Sequence, residues 1–262
     1  MSERTSYEPG TPSWVDVSSP DLEESKRFYR GLFGWEAQDA GPQEETGGYA
    51  MFTLNGRTVA GLARIQDESQ APAWSAYVAT DDADAAAARV TKAGGTVLFG
   101  PIDITDAGRV AFFAHPAGGM IGVWQAGSHT GAEVVNEPGA LNWNELQTRD
   151  VEGAKAFFSA VFGWQPDDQD FGGMTYTVFN LGDKGIAGAM PTTPFQVPDE
   201  VPAFWLAYFS VADCDESVAK VQELGGSVLG QAHDLPGVGR FAVVADPHGA
   251  TFGVIAGEPP EE

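Results

Sequence analysis

The 262-residue chain has a single cysteine, Cys214, and no apolar run near the roughly 20 residues that span a bilayer. One cysteine excludes an intramolecular disulfide and is typical of a reducing compartment. The first ten residues are polar, so they do not resemble a secretory signal. We therefore expect a soluble, cytoplasmic protein without a membrane partner.

Cationic side chains are also scarce. Lysine and arginine number 14 against 37 aspartates and glutamates, which gives a net charge of −23. This field repels nucleic-acid phosphates and would attract a cationic ligand, although acidity also serves solubility alone. The motifs GxxxxGKS and GxSxG are absent from the sequence, so nucleotide-binding and serine-hydrolase functions have no support.

What the chain does contain is an internal repeat. The members of the first copy recur 129 residues later: Trp14, Asp21, Phe28, Phe33, Gly34 and Trp35 as Trp143, Asp150, Phe157, Phe162, Gly163 and Trp164. Because the unit exceeds 100 residues, the repeat predicts two homologous domains, each able to bury its own core. The predicted boundaries are a polar tail at 1–10, domain 1 at 11–126, a linker at 127–138, domain 2 at 139–256 and a second tail at 257–262.

Each domain divides again into two similar halves. In the first half a strand precedes a helix that Asp21 caps and Gly34 ends, and Asn55-Gly56 then predicts a hairpin. The second half has the same order around an alanine-rich helix at 83–92. The sequence thus predicts an α+β fold of four βαβββ modules in two tandem domains.

Four segments carry a resemblance to a known superfamily: SSPDLEESKRFYRGLFGW, TRDVEGAKAFFSAVFGW, AHPAGGMIGVW and ADPHGATFGVI. Over residues 11–256 the chain resembles the vicinal oxygen chelate superfamily, which includes glyoxalase I, extradiol dioxygenases and bleomycin-resistance proteins. It is similar in particular to two-domain actinobacterial members labelled glyoxalase-like or hydroxylase-like. The resemblance implies mixed sheets curved into cups, with helices outside and a ligand or metal inside. Module pairing within or between domains stays open, as does a monomer with an internal pseudo-dimer or a homodimer.

The resemblance also implies where metal ligands would lie. In metal-dependent relatives four side chains point into each cup, and their counterparts here are Trp14, Gly61, Ser75 and Gly122 in domain 1 and Trp143, Gly188, Leu206 and Gly253 in domain 2. None of these eight side chains suits a divalent cation, which prefers imidazole, carboxylate or thiolate donors. We therefore predict no metal and no cofactor, and we interpret the four histidines, His115, His129, His233 and His248, as surface-loop residues.

Other polar and aromatic residues fall on the predicted inward faces. Asp16 and Glu145 lie two residues beyond Trp14 and Trp143, hence on the same side of the strand. A carboxylate in a partly apolar cup is a candidate general base or a partner for a cationic ligand. The alternative is that each accepts hydrogen bonds from a neighbouring loop.

The remaining candidates are ligand-binding residues: Trp14, Trp143, Trp124, Ser18, Gln147, Tyr77, Tyr208, Arg109 and Arg240. The tryptophans could stack on a flat ligand or only fill the cups, and the tyrosines could donate hydrogen bonds or only pack. The two arginines could clamp a carboxylate or tie down their own hairpins.

The sequence favours a metal-independent small-molecule-binding protein that sequesters an antibiotic or metabolite, with a cationic or aromatic ligand. The alternative is a lyase, isomerase or hydroxylase-like enzyme that acts on a small carbonyl or polyketide-like substrate, with Asp16 or Glu145 as base. A third reading is a protein-interaction scaffold with filled cups. Whether the protein is an enzyme stays open at this point.

Overall fold

The computed structural model describes residues 3–67, 69–171, 173–192 and 197–258. Of the predicted tails, residues 1–2 and 259–262 lie outside these ranges. The first repeat contains β1 (Pro12–Ser19), α1 (Leu22–Phe33), β2 (Glu36–Asp39), α2 (Gln43–Thr46), β3 (Ala50–Leu54), β4 (Arg57–Arg64), β5 (Ala73–Ala79), α3 (Ala83–Lys92), β6 (Thr96–Ile104), β7 (Gly108–His115) and β8 (Gly118–Ala126). The second contains β9 (Leu141–Thr148), α4 (Val151–Phe162), β10 (Gln165–Phe171), β11 (Met174–Leu181), β12 (Lys184–Pro191), β13 (Phe204–Ser210), α5 (Cys214–Glu223), β14 (Ser227–Val228), β15 (His233–Leu235), β16 (Gly239–Ala245) and β17 (Thr251–Gly257).

The expected four βαβββ modules are confirmed. The helix at 83–92 has the predicted bounds. No helix within the described ranges combines the length and the hydropathy that a membrane span requires.

Each repeat forms one mixed sheet, and its two modules pair inside that sheet. The strand orders are β2-β3-β4-β1-β5-β8-β7-β6 and β10-β11-β12-β9-β13-β17-β16-β14, with β15 beside β16. The first strands of the two modules, β1 and β5, run antiparallel in the centre, as do β9 and β13. The open question of pairing is therefore answered: modules pair within a domain.

The strands separate two kinds of side chain by their alternation. Along β1, Val15 and Val17 join the hydrophobic core, while Trp14, Asp16 and Ser18 point to the opposite face. We call this opposite face of the first sheet cup 1, and the equivalent face of the second sheet, which carries Trp143 and Glu145, cup 2. The helices lie against the core faces, outside the cups.

Both hydrophobic cores are shared between the repeats, so the expectation that each domain buries its own core is wrong. Helix α1 packs against α5, and α3 packs against α4. The ring of Phe209, from the second repeat, lies 5.2 Å from that of Phe33 and 4.8 Å from that of Trp74. The two sheets thus enclose their helices between them, because a sheet's apolar face must be covered by another layer.

The repeated Phe-Gly-Trp motif ties the two repeats together. Gly34 ends α1 in the left-handed conformation, with φ 73°, and directs Trp35 into the core. The indole N–H of Trp35 donates to the carbonyl of Gly139 at 2.7 Å, and that of Trp164 donates to the carbonyl of Gly10 at 2.7 Å. Each tryptophan therefore fixes the segment that leads into the other repeat.

We expect Tyr29→Phe to lower the free energy of unfolding by about 1–2 kcal/mol. The Tyr29 hydroxyl is buried and donates to Asp246 Oδ2 of the second repeat at 3.0 Å, so its removal leaves part of a buried carboxylate unpaired. Urea denaturation followed by tryptophan fluorescence measures the change. Because the cores are shared, the transition should stay single; two separate transitions would contradict the shared core.

Candidate functional site

Asp16 lies on the floor of cup 1 and is held by two tyrosines from neighbouring strands. The hydroxyls of Tyr77 and Tyr49 donate to the same carboxylate oxygen, Oδ2, at 2.7 and 3.0 Å, and the indole N–H of Trp14 donates to the Tyr49 hydroxyl at 3.1 Å. The other carboxylate oxygen, Oδ1, accepts no hydrogen bond from a described residue and keeps some accessible surface. A lone pair is therefore available to a ligand in the cup.

The electrostatics of this cluster follow from its burial. Burial raises the pKa of Asp16 from 3.8 to about 6, against the lowering effect of the Tyr77 and Tyr49 hydrogen bonds. Burial, together with the nearby Asp16 charge, holds the pKa of both tyrosines well above 10, so they stay hydrogen-bond donors at neutral pH. Asp16 can consequently change its charge state close to neutrality.

Cup 2 contains a similar cluster around Glu145. Its Oε1 accepts hydrogen bonds from Gln147 Nε2 at 2.5 Å and from the Tyr208 hydroxyl at 3.2 Å, and the Trp143 indole N–H donates to the Tyr176 hydroxyl at 2.8 Å. Burial raises the pKa of Glu145, while hydrogen bonds from Tyr176, Tyr208 and Gln147 lower it. Glu145 is thus bound by one more side chain than Asp16.

The residues at the family's metal-ligand positions do not fit a divalent ion. A Cβ added at Gly61 would overlap the Tyr49 hydroxyl, and one added at Gly122 would overlap the Tyr77 ring. Gly188 and Gly253 meet Tyr176 and Tyr208 in the same way. Across the described ranges, no three His, Cys, Asp or Glu side chains lie close enough together to hold a metal ion. Tyrosines thus fill the space that carboxylate ligands would need.

Two histidines are not where the sequence placed them. His129, expected in a surface loop, covers one end of cup 1: its ring lies 4.5 Å from Trp14 and 5.6 Å from Trp124, whose indole N–H donates to the His129 carbonyl at 2.8 Å. Burial lowers the pKa of His129 to about 4, so the ring is neutral at pH 7. His115 is also buried, stacked on Phe158. Sequence pattern cannot detect either, because both depend on contacts distant in the chain.

The rest of cup 1 has an exposed apolar wall. Partner residues in β7 and β8 share a face, and Phe112 pairs with Gly122, which places Phe112 beside Tyr77 at 5.2 Å between ring centroids. Farther out lie Phe99, Ile102 and Met120, which are 49%, 40% and 42% exposed. The repeat-2 counterparts of these four residues are Val243, Gly230, His233 and Thr251. Cup 1 is therefore the more apolar cup.

Arg109 and Arg240 do not face the cups. Arg109 lies on the same face of β7 as Phe113, which belongs to the core. Its guanidinium contacts Asp84 at 3.0 Å and Asp103 at 2.9 Å. Arg240 contacts Asp215 and Asp234 in the same way, at 2.9 and 3.1 Å. Two carboxylates contact each guanidinium on the side away from the cup. The structure therefore favours the alternative in which the arginines tie down their own hairpins over the one in which they bind the carboxylate of a ligand.

Of the other predicted residues, Ser18 lies at the edge of cup 1, where its hydroxyl bonds the backbone of Ala73. The sequence interpretation missed Tyr49 and Tyr176 as site residues. The sequence contains a signal for both tyrosines, because each recurs together with a glycine that lies on the adjacent strand, Gly61 or Gly188. A glycine facing a distant tyrosine is recognisable only once the strand register is known.

Comparisons with known proteins agree with this geometry. The model of the "Glyoxalase/Bleomycin resistance protein/Dioxygenase superfamily" matches residues 11–123 and 140–254. A Mycobacterium tuberculosis protein named "Putative glyoxylase CFP32" is 42% identical over 99% of both chains. "Anthracycline biosynthesis protein DnrV" of Streptomyces peucetius is 42% identical over 96% of this chain and 94% of its own. The Mn(II)-bound glyoxalase of Novosphingobium aromaticivorans shares the fold, with a TM-score of 0.65 at 18% identity over 95% of this chain and 82% of that one.

We expect Asp16→Asn to stabilise the protein in a pH-dependent manner. Because the pKa of Asp16 rises from 3.8 to about 6 on folding, the folded state binds more protons between these values, and stability falls as the pH rises through that window. Removing the charge should raise the free energy of unfolding by about 3 kcal/mol at pH 7.5 and by about half as much at pH 5. Urea denaturation at both pH values measures this, with the exposed Asp81→Asn as control. An equal effect at the two pH values would contradict the assigned burial cost.

Proposed function

This chain belongs to the glyoxalase/bleomycin resistance protein/dioxygenase superfamily, and from that premise we propose that it binds a planar small molecule in cup 1 without a metal ion. The observation that carries the proposal is the Asp16 cluster. Two tyrosine hydroxyls fix Oδ2 on the floor of the cup, and Oδ1 keeps a lone pair for a hydrogen-bond donor of the ligand.

The ligand class follows from the walls around Asp16. Phe112, Phe99, Ile102 and Met120 offer apolar and aromatic surface on one side, and Trp14 with His129 closes the opposite end. Flat apolar surfaces favour a flat ring system, and a single carboxylate favours a hydroxyl or an amine on that ring system. The net charge of −23 adds a preference for a cation. A relative named for anthracycline biosynthesis makes planar polycyclic compounds the first class to test.

The proposed metal independence rests on the tyrosines that fill the space beside the glycines at the metal-ligand positions. For a carboxylate to reach the cup from position 61 or 122, Tyr49 or Tyr77 would have to leave its hydrogen bond with Asp16. In place of a metal, the cup provides one ionisable carboxylate and neutral donors. This set suits reversible binding, and hence sequestration of an antibiotic or metabolite.

We expect the fluorescence of doxorubicin, a planar anthracycline, to be quenched on titration with the protein. Phe112→Ala should weaken binding about tenfold, the change in affinity that corresponds to one lost aromatic contact of ~1.4 kcal/mol. The matched control is Val243→Ala, at the equivalent position of cup 2, which should bind as the unaltered protein does.

The same titration after dialysis against a chelator tests metal independence, and the dissociation constant should not change. An equal loss in both variants, a loss after chelation or the absence of binding by the unaltered protein would each contradict the proposal.

A second candidate function is an enzyme in which Asp16 is a general base toward a carbonyl compound. The observation in its favour is a pKa near 6, which lies close to the value that suits proton abstraction at neutral pH. The single hydroxyl proton of Tyr77 is donated to Asp16 before the reaction, and it could turn to a developing enolate oxygen as Asp16 takes up the proton of the substrate. Of the two carboxylates, Asp16 suits this role better, because two side chains donate hydrogen bonds to it whereas three donate to Glu145.

Solvent deuterium exchange at the carbon beside the carbonyl of 2-tetralone measures this activity directly. The enzyme-dependent rate should rise with pH through about 6, and Asp16→Asn should lower it at least ~100-fold, while Glu145→Gln should leave it nearly unchanged. Mass spectrometry reads the exchange. A rate no faster than in buffer, together with intact ligand binding, would leave sequestration as the function.

A further inference from the structure

A cavity of about 440 Å³ lies where the N-terminal segment and the linker meet the second repeat, next to Trp143 of cup 2. Its walls come from the N-terminal segment between Arg4 and Pro12, from Val135 and Asn136 of the linker, and from β9 with the β11–β12 hairpin. We call it the junction pocket. Its volume falls within the range of small-molecule sites, and Leu181 and Ile186 give it an apolar wall.

A buried amide in the lining of this pocket lacks a partner. Asn144 is 3% exposed, and its Oδ1 accepts no hydrogen bond from any described residue. The equivalent residue of the first repeat is Val15, which is completely buried in the hydrophobic core. The fold therefore does not need a polar group at this position. An unpaired buried amide is costly unless a bound molecule supplies the missing donor.

The pocket also holds two cationic side chains in a strongly acidic protein. Arg4 and Lys184 both line it, both are exposed, and neither forms a salt bridge with a described residue. Since Asn144 is buried, the two cations lie nearer the mouth of the pocket. One carboxylate, Glu8, is also part of the lining, so the charged side chains leave a net +1. In a chain of net charge −23, this combination favours an anionic group.

We propose that the junction pocket binds a small organic acid. Its carboxylate lies between Arg4 and Lys184, and its apolar body lies along Leu181 and Ile186. Asn144 Oδ1 has almost no accessible surface in the unliganded protein, so the amide turns towards the pocket to accept a hydrogen bond from a hydroxyl or N–H at the far end of the ligand. The site is distinct from cup 1, so the proposal does not depend on the function proposed above.

The test uses 6-hydroxynaphthalene-2-carboxylate, which carries an acid at one end and a donor at the other. Two comparison probes each lack one group: naphthalene-2-carboxylate has no donor, and 6-(hydroxymethyl)naphthalen-2-ol has no acid. Titration calorimetry should show that each comparison probe binds at least about fivefold more weakly, the change that corresponds to one hydrogen bond or one exposed ion pair.

Two variants test which side chain binds each end of the probe. Asn144→Val, which copies the first repeat, should weaken the hydroxynaphthoate about fivefold and abolish its advantage over naphthalene-2-carboxylate. Lys184→Met should abolish the advantage of the acid over the alcohol, whereas the exposed Lys92→Met should not. Because Asn144→Val removes an unpaired amide, its thermal midpoint without probe should equal or exceed that of the unaltered protein.

In Phe112→Ala, a variant of cup 1, the order of affinity of the three probes and its dependence on Lys184 and Asn144 should persist, which separates this site from the cup. The proposal is overturned if the hydroxynaphthoate does not bind, if the three probes bind equally, or if neither Asn144→Val nor Lys184→Met alters the order of affinities. If Asn144→Val does not fold, the proposal is tested by whether Lys184→Met has lost the preference for the acid over the alcohol.

Discussion

The alternation of side chains along each strand is the constraint on which the rest of this structure depends. One face of each sheet carries residues such as Val15 and Val17, which must be covered, and the opposite face carries Trp14 and Asp16. Because neither repeat covers its own apolar face completely, the two sheets share two cores with the helices between them. The cups are consequently left on the outer sides of the sheets, away from both cores.

On the cup faces, tyrosines fill the space beside the positions that correspond to metal ligands in metal-dependent relatives. Glycines at positions 61 and 122 make room for Tyr49 and Tyr77, and both hydroxyls reach the one carboxylate of Asp16. The polar chemistry of cup 1 therefore comes from one acid with a pKa of about 6 and two neutral hydrogen-bond donors. A cup of this kind can hold a donor or accept a proton, whereas it has no set of converging donors with which to polarise a substrate.

Much of the fold could be predicted from the sequence, since caps, stop glycines and the repeat are local signals. Asp21 and Gly34 mark α1 within one residue, and the doubled motif identified four modules. The shared cores could not be predicted, because the contact between Phe33 and Phe209 joins residues that no periodicity relates. At the site, Asp16, Trp14 and Tyr77 were recognisable from strand alternation once the family resemblance had indicated which face of each strand points inward. Tyr49 and His129 were not, since one depends on strand register and the other on the path of the linker.

The differences between the repeats carry more functional information than their similarities. Positions that both copies keep, such as Trp35 and Trp164, serve the same structural bond in each half. Where the copies diverge, the fold is satisfied by either residue, so the change needs another cause. Cup 1 has Phe112 where cup 2 has Val243, which makes cup 1 the more apolar cup. The second repeat has Asn144 where the first has Val15, which places an unpaired amide in the second repeat. Duplication supplies two copies of one scaffold, and the departures from symmetry fall at the two places where we propose that ligands bind.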